Sequence, residues 1–241
     1  MIGTLIADEL RFLTFRRTSP AVHTHGTWYL AFGLFATWLA GVGRYWDNPR
    51  AFHWQQLGLG SVVYVFLLAL LIWALMAPLR PKNWSYKNVL VFVTLTAPPA
   101  LIYAIPVEKF MPMGSAQVVN AWFLGVVSVW RVALLAVFLR RVAGLALWIV
   151  AVATLLPLAV IIVPIALLNP EHVVLLFAVM GGVREDTTGP NDVAYTIVLI
   201  LSIVSILAAP VLLTFYFVAI DFARRDAKET AAADPPPAPR E

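Results

Sequence analysis

Residues 120–141 read NAWFLGVVSVWRVALLAVFLRR. An almost unbroken apolar run closes on the pair Arg140-Arg141, with one charge, Arg131, inside it. About 20 residues rising 1.5 Å each cross a hydrocarbon core of roughly 30 Å. The stretch therefore predicts a helix that crosses a membrane and ends on a basic anchor.

Five further apolar stretches share this form. The spans predicted are 27–46, 57–77, 88–106, 117–139, 144–168 and 193–219. Apolar classes make up 61% of the 241 residues and charged ones 12%. A soluble domain carries about 25% charged residues, so this composition calls for an apolar solvent. Only helices and closed barrels satisfy their backbone in lipid. A barrel needs strands of about ten alternating residues, and these runs are longer and uniformly apolar. The expected fold is an all-α polytopic transmembrane bundle of six spans, occupying 21–222.

Segments outside the bundle divide in two. Residues 1–20 predict an amphipathic interfacial helix. Ile2, Leu5, Ile6, Leu10 and Leu13 recur at helical spacing, and Thr4, Asp8 and Arg11 line another face. No small-residue cleavage site follows the first apolar run, so no removable signal peptide is expected. Residues 223–241 end in PPPAPRE and predict a disordered, Pro/Ala-rich tail.

Basic residues set the expected orientation. With the N-terminus cytoplasmic, that side collects Arg11, Arg16, Arg17, Arg80, Lys82, Lys87, Arg140, Arg141, Arg224, Arg225, Lys228 and Arg240. The opposite side holds Arg44, Arg50, Lys109 and Arg184. Cytoplasmic loops are enriched in Lys and Arg, so both termini are expected in the cytoplasm, with a bacterial inner membrane as the compatible location. The net charge of +4 follows from this bias and implies no nucleic-acid partner. The lipid bilayer is the expected partner, beside a membrane-protein partner or a second copy of the chain.

Arg131 is the residue most worth explaining. It lies nine positions before Arg140, about 13 Å into the membrane. A charge there costs at least about 2.5–3.5 kcal/mol. No Asp or Glu lies at similar depth in another predicted span. Pro98 and Pro99, in LVFVTLTAPPALIYAIP, cannot donate to the carbonyls of Thr94 and Leu95. Arg131 is expected to face those carbonyls, or else to bind an anion or substrate. Pro106, Pro157, Pro164 and Pro210 also fall in or beside spans, where neighbours can satisfy freed carbonyls. Gly33, Thr37 and Gly41 form a ridge of small residues at four-residue spacing, which admits a close helix neighbour.

Catalytic and metal signals are weak. Asp47 and His53 lie in a turn-forming outer segment without the spacing of an acid–base motif. His23 and His25 are two apart and point to different helix faces, whereas a helical metal pair uses i, i+4. The chain has no cysteine, which removes thiolate sites and disulfides. No catalytic, metal or cofactor residues are assigned.

The stretch VSVWRVALLAVFLRRVAGLALWIVAVA resembles the fourth and fifth spans of the Yip1 membrane-protein family. The matching pieces are Trp130, Leu134, Leu135 and Leu139, then Arg140-Arg141 and Gly144. That family usually has five spans. The resemblance implies a non-enzymatic membrane protein and assigns no functional residue. The expected function is a scaffold or accessory subunit of a membrane complex. The alternative is a small transporter or channel with a cavity lined by Arg131.

Overall fold

The computed structural model describes residues 2–17, 26–46, 51–168 and 193–233. Within them the chain is helical and contains no strand. The longer helices are α1 (Ile2–Leu13), α2 (Gly26–Tyr45), α3 (Leu59–Met76), α4 (Tyr86–Leu95), α5 (Met113–Arg141), α6 (Leu147–Leu168) and α7 (Val193–Ala233). One-turn helix His53–Gln56 precedes α3, and a 3-10 segment, Pro98–Ala104, follows α4.

Four helices are long and apolar enough to cross a membrane: the segments Leu59–Leu79, Gly114–Arg141, Leu147–Leu167 and Leu199–Asp226. The pair Tyr86–Leu95 and Pro98–Ala104, bent by 40°, makes a fifth if it is one span. These helices fit a membrane protein. Helix α2 occupies the first predicted span and has 20 residues, but it is less apolar than the others. The reason lies in its packing. Tyr29, Gly33, Ala36, Thr37, Ala40 and Gly41 are buried against the chain itself, and a face inside a bundle need not be greasy.

Helix α2 runs parallel to the α4/3-10 pair along its whole length. Lys87 Nζ donates to Thr27 Oγ1 at 3.2 Å. Gly33 sits against Thr94, Ala40 shares a cluster with Ala100 and Val127, and Gly43 sits against Ala104. At the far end Trp46 Nε1 donates to the carbonyl of Ala104 at 3.2 Å. Both segments thus start at one end of the bundle and finish at the other, with α3 returning between them.

The small-residue ridge is filled from within. A Cβ on Gly33 would lie 2.4 Å from Thr94 Oγ1, and one on Gly41 would lie 2.7 Å from Ser61 Oγ. Thr37 Oγ1 closes the ridge by donating to the carbonyl of Gly33 at 2.8 Å. Gly58 makes the turn into α3 at φ +70°, and a Cβ there would meet the Trp38 carbonyl oxygen at 2.6 Å. Only glycine meets both demands without strain.

The main core is built from α3, α4, α5, α6 and α7, around Met76, Val89, Leu134, Leu139, Leu156 and Ala219. Phe92 stacks on Phe138 at 4.2 Å, and Phe12 meets Phe92 edge-on at 5.9 Å, joining α1 to α4 and α5. At the same end Tyr216 donates to the Leu75 carbonyl at 2.6 Å, Lys82 N donates to the Ala143 carbonyl at 2.9 Å, and Trp148 meets Phe222. Residues Arg80, Lys82, Lys87, Arg140, Arg141, Arg224 and Arg225 belong to this end, which is therefore basic.

One segment differs from expectation. Helix α7 runs on through Ala233, into the stretch read as a disordered tail. RRDAKETAAA is rich in strong helix formers, and Arg225 pairs with Asp221 one turn earlier at 2.7 Å. The proline run beyond Asp234 lies outside the described residues. Helix α1 turns its acidic residues inward: Asp8 is 1% exposed and Glu9 6%, whereas Ile2, Ile6 and Leu10 face out at 73%, 48% and 59%. It does not sit at the tips of the other helices. Leu5 clusters with Tyr29, Val91 and Leu95, so α1 lies against the flank of the bundle. The outward apolar stripe is the reverse of a water-soluble pattern and suits an apolar surrounding. A Schellman turn ends α1, with Phe15 in the left-handed region and Arg16 N bonded to the Arg11 carbonyl at 2.7 Å.

Gly33→Ala tests the close approach of α2 and α4. Overpacking of this kind costs about 1–3 kcal/mol, so the melting temperature in detergent falls. Gly125→Ala, which meets nothing within 4 Å, leaves it unchanged or raises it.

Candidate functional site: the proline break and the cations beside it

Helix α4 fails at its C-terminal end for a reason written in its sequence. In an α-helix, Pro98 and Pro99 would face the carbonyls of Thr94 and Leu95 without an N–H to give. The chain answers by tightening to 3-10 spacing. Thr96 N bonds to Val93 O at 3.2 Å, Ala97 N to Thr94 O at 3.1 Å and Ala100 N to Ala97 O at 2.8 Å. This satisfies Thr94 and shifts the deficit by one residue, to Leu95 and Thr96. At i→i+3 spacing the carbonyl of Thr96 faces the nitrogen of Pro99, which has no hydrogen. Thr94 and Thr96 turn their hydroxyls to the carbonyls of Val91 and Val93, at 3.0 and 2.7 Å.

Arg131 supplies the missing donor. Its Nε donates to the Thr96 carbonyl at 2.9 Å. The acceptor is one residue beyond the pair expected from α-helical counting, because the 3-10 turn shifts the register. Arg131, Pro98 and Pro99 are thereby brought together. This is the only hydrogen bond Arg131 makes to another described residue, so its paired Nη groups remain for other acceptors.

Arg131 has company that the sequence reading did not assemble. Tyr64 on α3 and Tyr103 on the 3-10 segment lie within the electrostatic reach of both Arg131 and Arg44. The Arg44 guanidinium lies over the Tyr103 ring, 5.0 Å from its centre. Lys109 lies over the Trp46 ring at 4.7 Å, beside the Trp46–Ala104 bond. A polar column thus runs from the end opposite the basic one to the middle of the bundle. Arg44 lies in the last turn of α2, and nothing local in the sequence shows that this turn ends beside the proline break.

The other candidates separate from this column. His53 is exposed and approaches Gln56 at 3.5 Å. Asp47, Arg50, His23, His25 and residues 169–192 lie outside the described residues. Among the described residues no group of three or more His, Asp or Glu side chains is arranged to hold a metal ion.

A second buried polar group went unnoticed in the sequence. Tyr29 donates to Asp8 at 2.6 Å, while Arg11 lies 3.4 Å from that carboxylate. Glu9 is buried, and neither of its carboxyl oxygens has a hydrogen-bond partner. Burial pushes its carboxyl from 4.5 up to about 8. Two donors at the end of α1 hold the helix in place: Trp130 Nε1 bonds to the Leu13 carbonyl at 2.9 Å, and Arg141 bonds to the Phe15 carbonyl.

No protein-family model, curated protein or solved structure matches this chain.

Two predictions follow from these contacts. Arg131→Leu leaves the Thr96 carbonyl without a donor, a loss of about 1–3 kcal/mol. The variant accumulates less in membranes and melts earlier in detergent. For Glu9, the folded chain retains a proton that the unfolded chain gives up near its ordinary value of 4.5. Stability therefore falls as pH rises from there and levels off above about 8. Melting curves across that range show the decline, and Glu9→Gln flattens it.

Proposed function

We propose that the chain is an integral membrane protein with six spans and both termini on the cytoplasmic side of a bacterial inner membrane. Four long apolar helices support this, with the bent pair as a fifth. The sixth is α2. Its parallel contact with the bent pair, from Thr27–Lys87 to Trp46–Ala104, gives both segments the same start, direction and reach. The gathering of basic residues at one end of the bundle supports the orientation, since that end is retained in the cytoplasm.

Within this frame the chain acts as a non-enzymatic scaffold or accessory subunit of a membrane complex. The observation that carries this reading is the bond from Arg131 Nε to Thr96 O. The charge in the middle of the bundle is engaged in holding α5 against the proline break. Such a bond makes the bundle rigid and presents its outer helices as fixed surfaces. The Yip1 resemblance implies the same non-enzymatic class.

The test is isolation of the full-length tagged chain in mild detergent at native expression. A membrane protein recovered in stoichiometric amount supports the reading; a chain recovered alone overturns it. A reporter fused to the C-terminus checks orientation separately and is active on the cytoplasmic side.

A further inference from the structure

The polar column holds more positive charge than the proline break requires. One nitrogen of Arg131 satisfies the Thr96 carbonyl. Its Nη pair is left over, and Tyr103, which carries Arg44 over its ring, packs against the Ala40–Ala100–Val127 cluster, Val127 lying one turn before Arg131 on α5. Among the described residues neither arginine has a carboxylate partner. Two like charges near each other in a medium of low dielectric repel strongly. An anion between them converts that repulsion into two attractions.

The surrounding groups fit one class of anion. A guanidinium is a planar fork of donors that matches the paired oxygens of a phosphate or related oxyanion. Tyr64 and Tyr103 add phenolic donors, from α3 and from the 3-10 segment. Arg44 lies over the Tyr103 ring, 5.0 Å from its centre, and also hydrogen-bonds the Tyr45 side chain, and both contacts orient it. Lys109, exposed and lying over Trp46, adds a third cation at the end of the column. We propose that Arg44, Arg131, Tyr64 and Tyr103 form a binding site for a phosphate-type oxyanion, in the half of the bundle opposite its basic end. The oxyanion is either free or the headgroup of an anionic phospholipid. The site goes beyond the scaffold reading and needs only the bundle.

The experiment uses the full-length chain in detergent. Its melting temperature is measured with inorganic phosphate and with chloride at equal ionic strength, and the phospholipid retained per chain is measured by native mass spectrometry. A rise with phosphate that disappears in Arg44→Gln supports a free oxyanion. No rise, but about one anionic phospholipid per chain that Arg44→Gln loses, supports a headgroup. If neither signal exists, or if either persists unchanged in Arg44→Gln, the site is overturned. Should that variant fail to fold, Tyr64→Phe carries the comparison. It removes one hydroxyl and weakens the same signal by about tenfold, and an unchanged signal overturns the site equally.

Discussion

Two adjacent prolines in a helix with apolar surroundings leave carbonyl oxygens that nothing in their own helix can satisfy. The rest of the bundle is arranged around that deficit at Pro98-Pro99. An unsatisfied buried acceptor costs about 1–3 kcal/mol, and a charge at mid-membrane costs at least about 2.5–3.5 kcal/mol. Each is unfavourable alone. Placed together, the Arg131 guanidinium and the Thr96 carbonyl offset each other across 2.9 Å. The bend that follows is what α2 packs along, with Gly33 against Thr94 on one side of the break and Gly43 against Ala104 on the other. It also brings Tyr103, with Arg44 over its ring, to the part of the bundle that holds Arg131.

Much of this was legible in the sequence, because the rules that govern it are local. Apolar length placed α3, α5, α6 and α7, and the proline pair marked the break. The spacing of Gly33, Thr37 and Gly41 marked a face that is indeed filled closely by other parts of the chain. What failed did so for reasons of register and surroundings. Counting in α-helical steps pointed to Thr94 and Leu95, whereas the 3-10 turn shifts the deficit to Leu95 and Thr96, and Arg131 meets the second. The sequence made 27–46 a span like the others, whereas α2 is not among the four helices apolar enough to cross; its contacts with Lys87, Thr94 and Ala104 show how far it reaches.

Helix α1, expected as an interfacial amphipathic helix, shows where the polar groups of such a helix go. Here Ile2, Ile6 and Leu10 point outward, while Asp8 and Glu9 lie inside. In an apolar surrounding the polar groups are the ones that need the protein, and Tyr29 gives Asp8 its donor. Glu9 has none and remains protonated to about pH 8. A rule about amphipathic faces is a rule about solvent. The stripe alone does not say which solvent is present.

The central claim is that Arg131 stands in for the N–H that Pro99 lacks. A double-mutant cycle on the stability of the full-length chain tests it directly, using Arg131→Leu, Pro99→Ala and the pair. Alanine at 99 restores a backbone donor to the Thr96 carbonyl. The account predicts that Arg131→Leu costs much less in the Pro99→Ala background than in the natural one. Equal costs in both backgrounds, with the two changes simply adding, would contradict it.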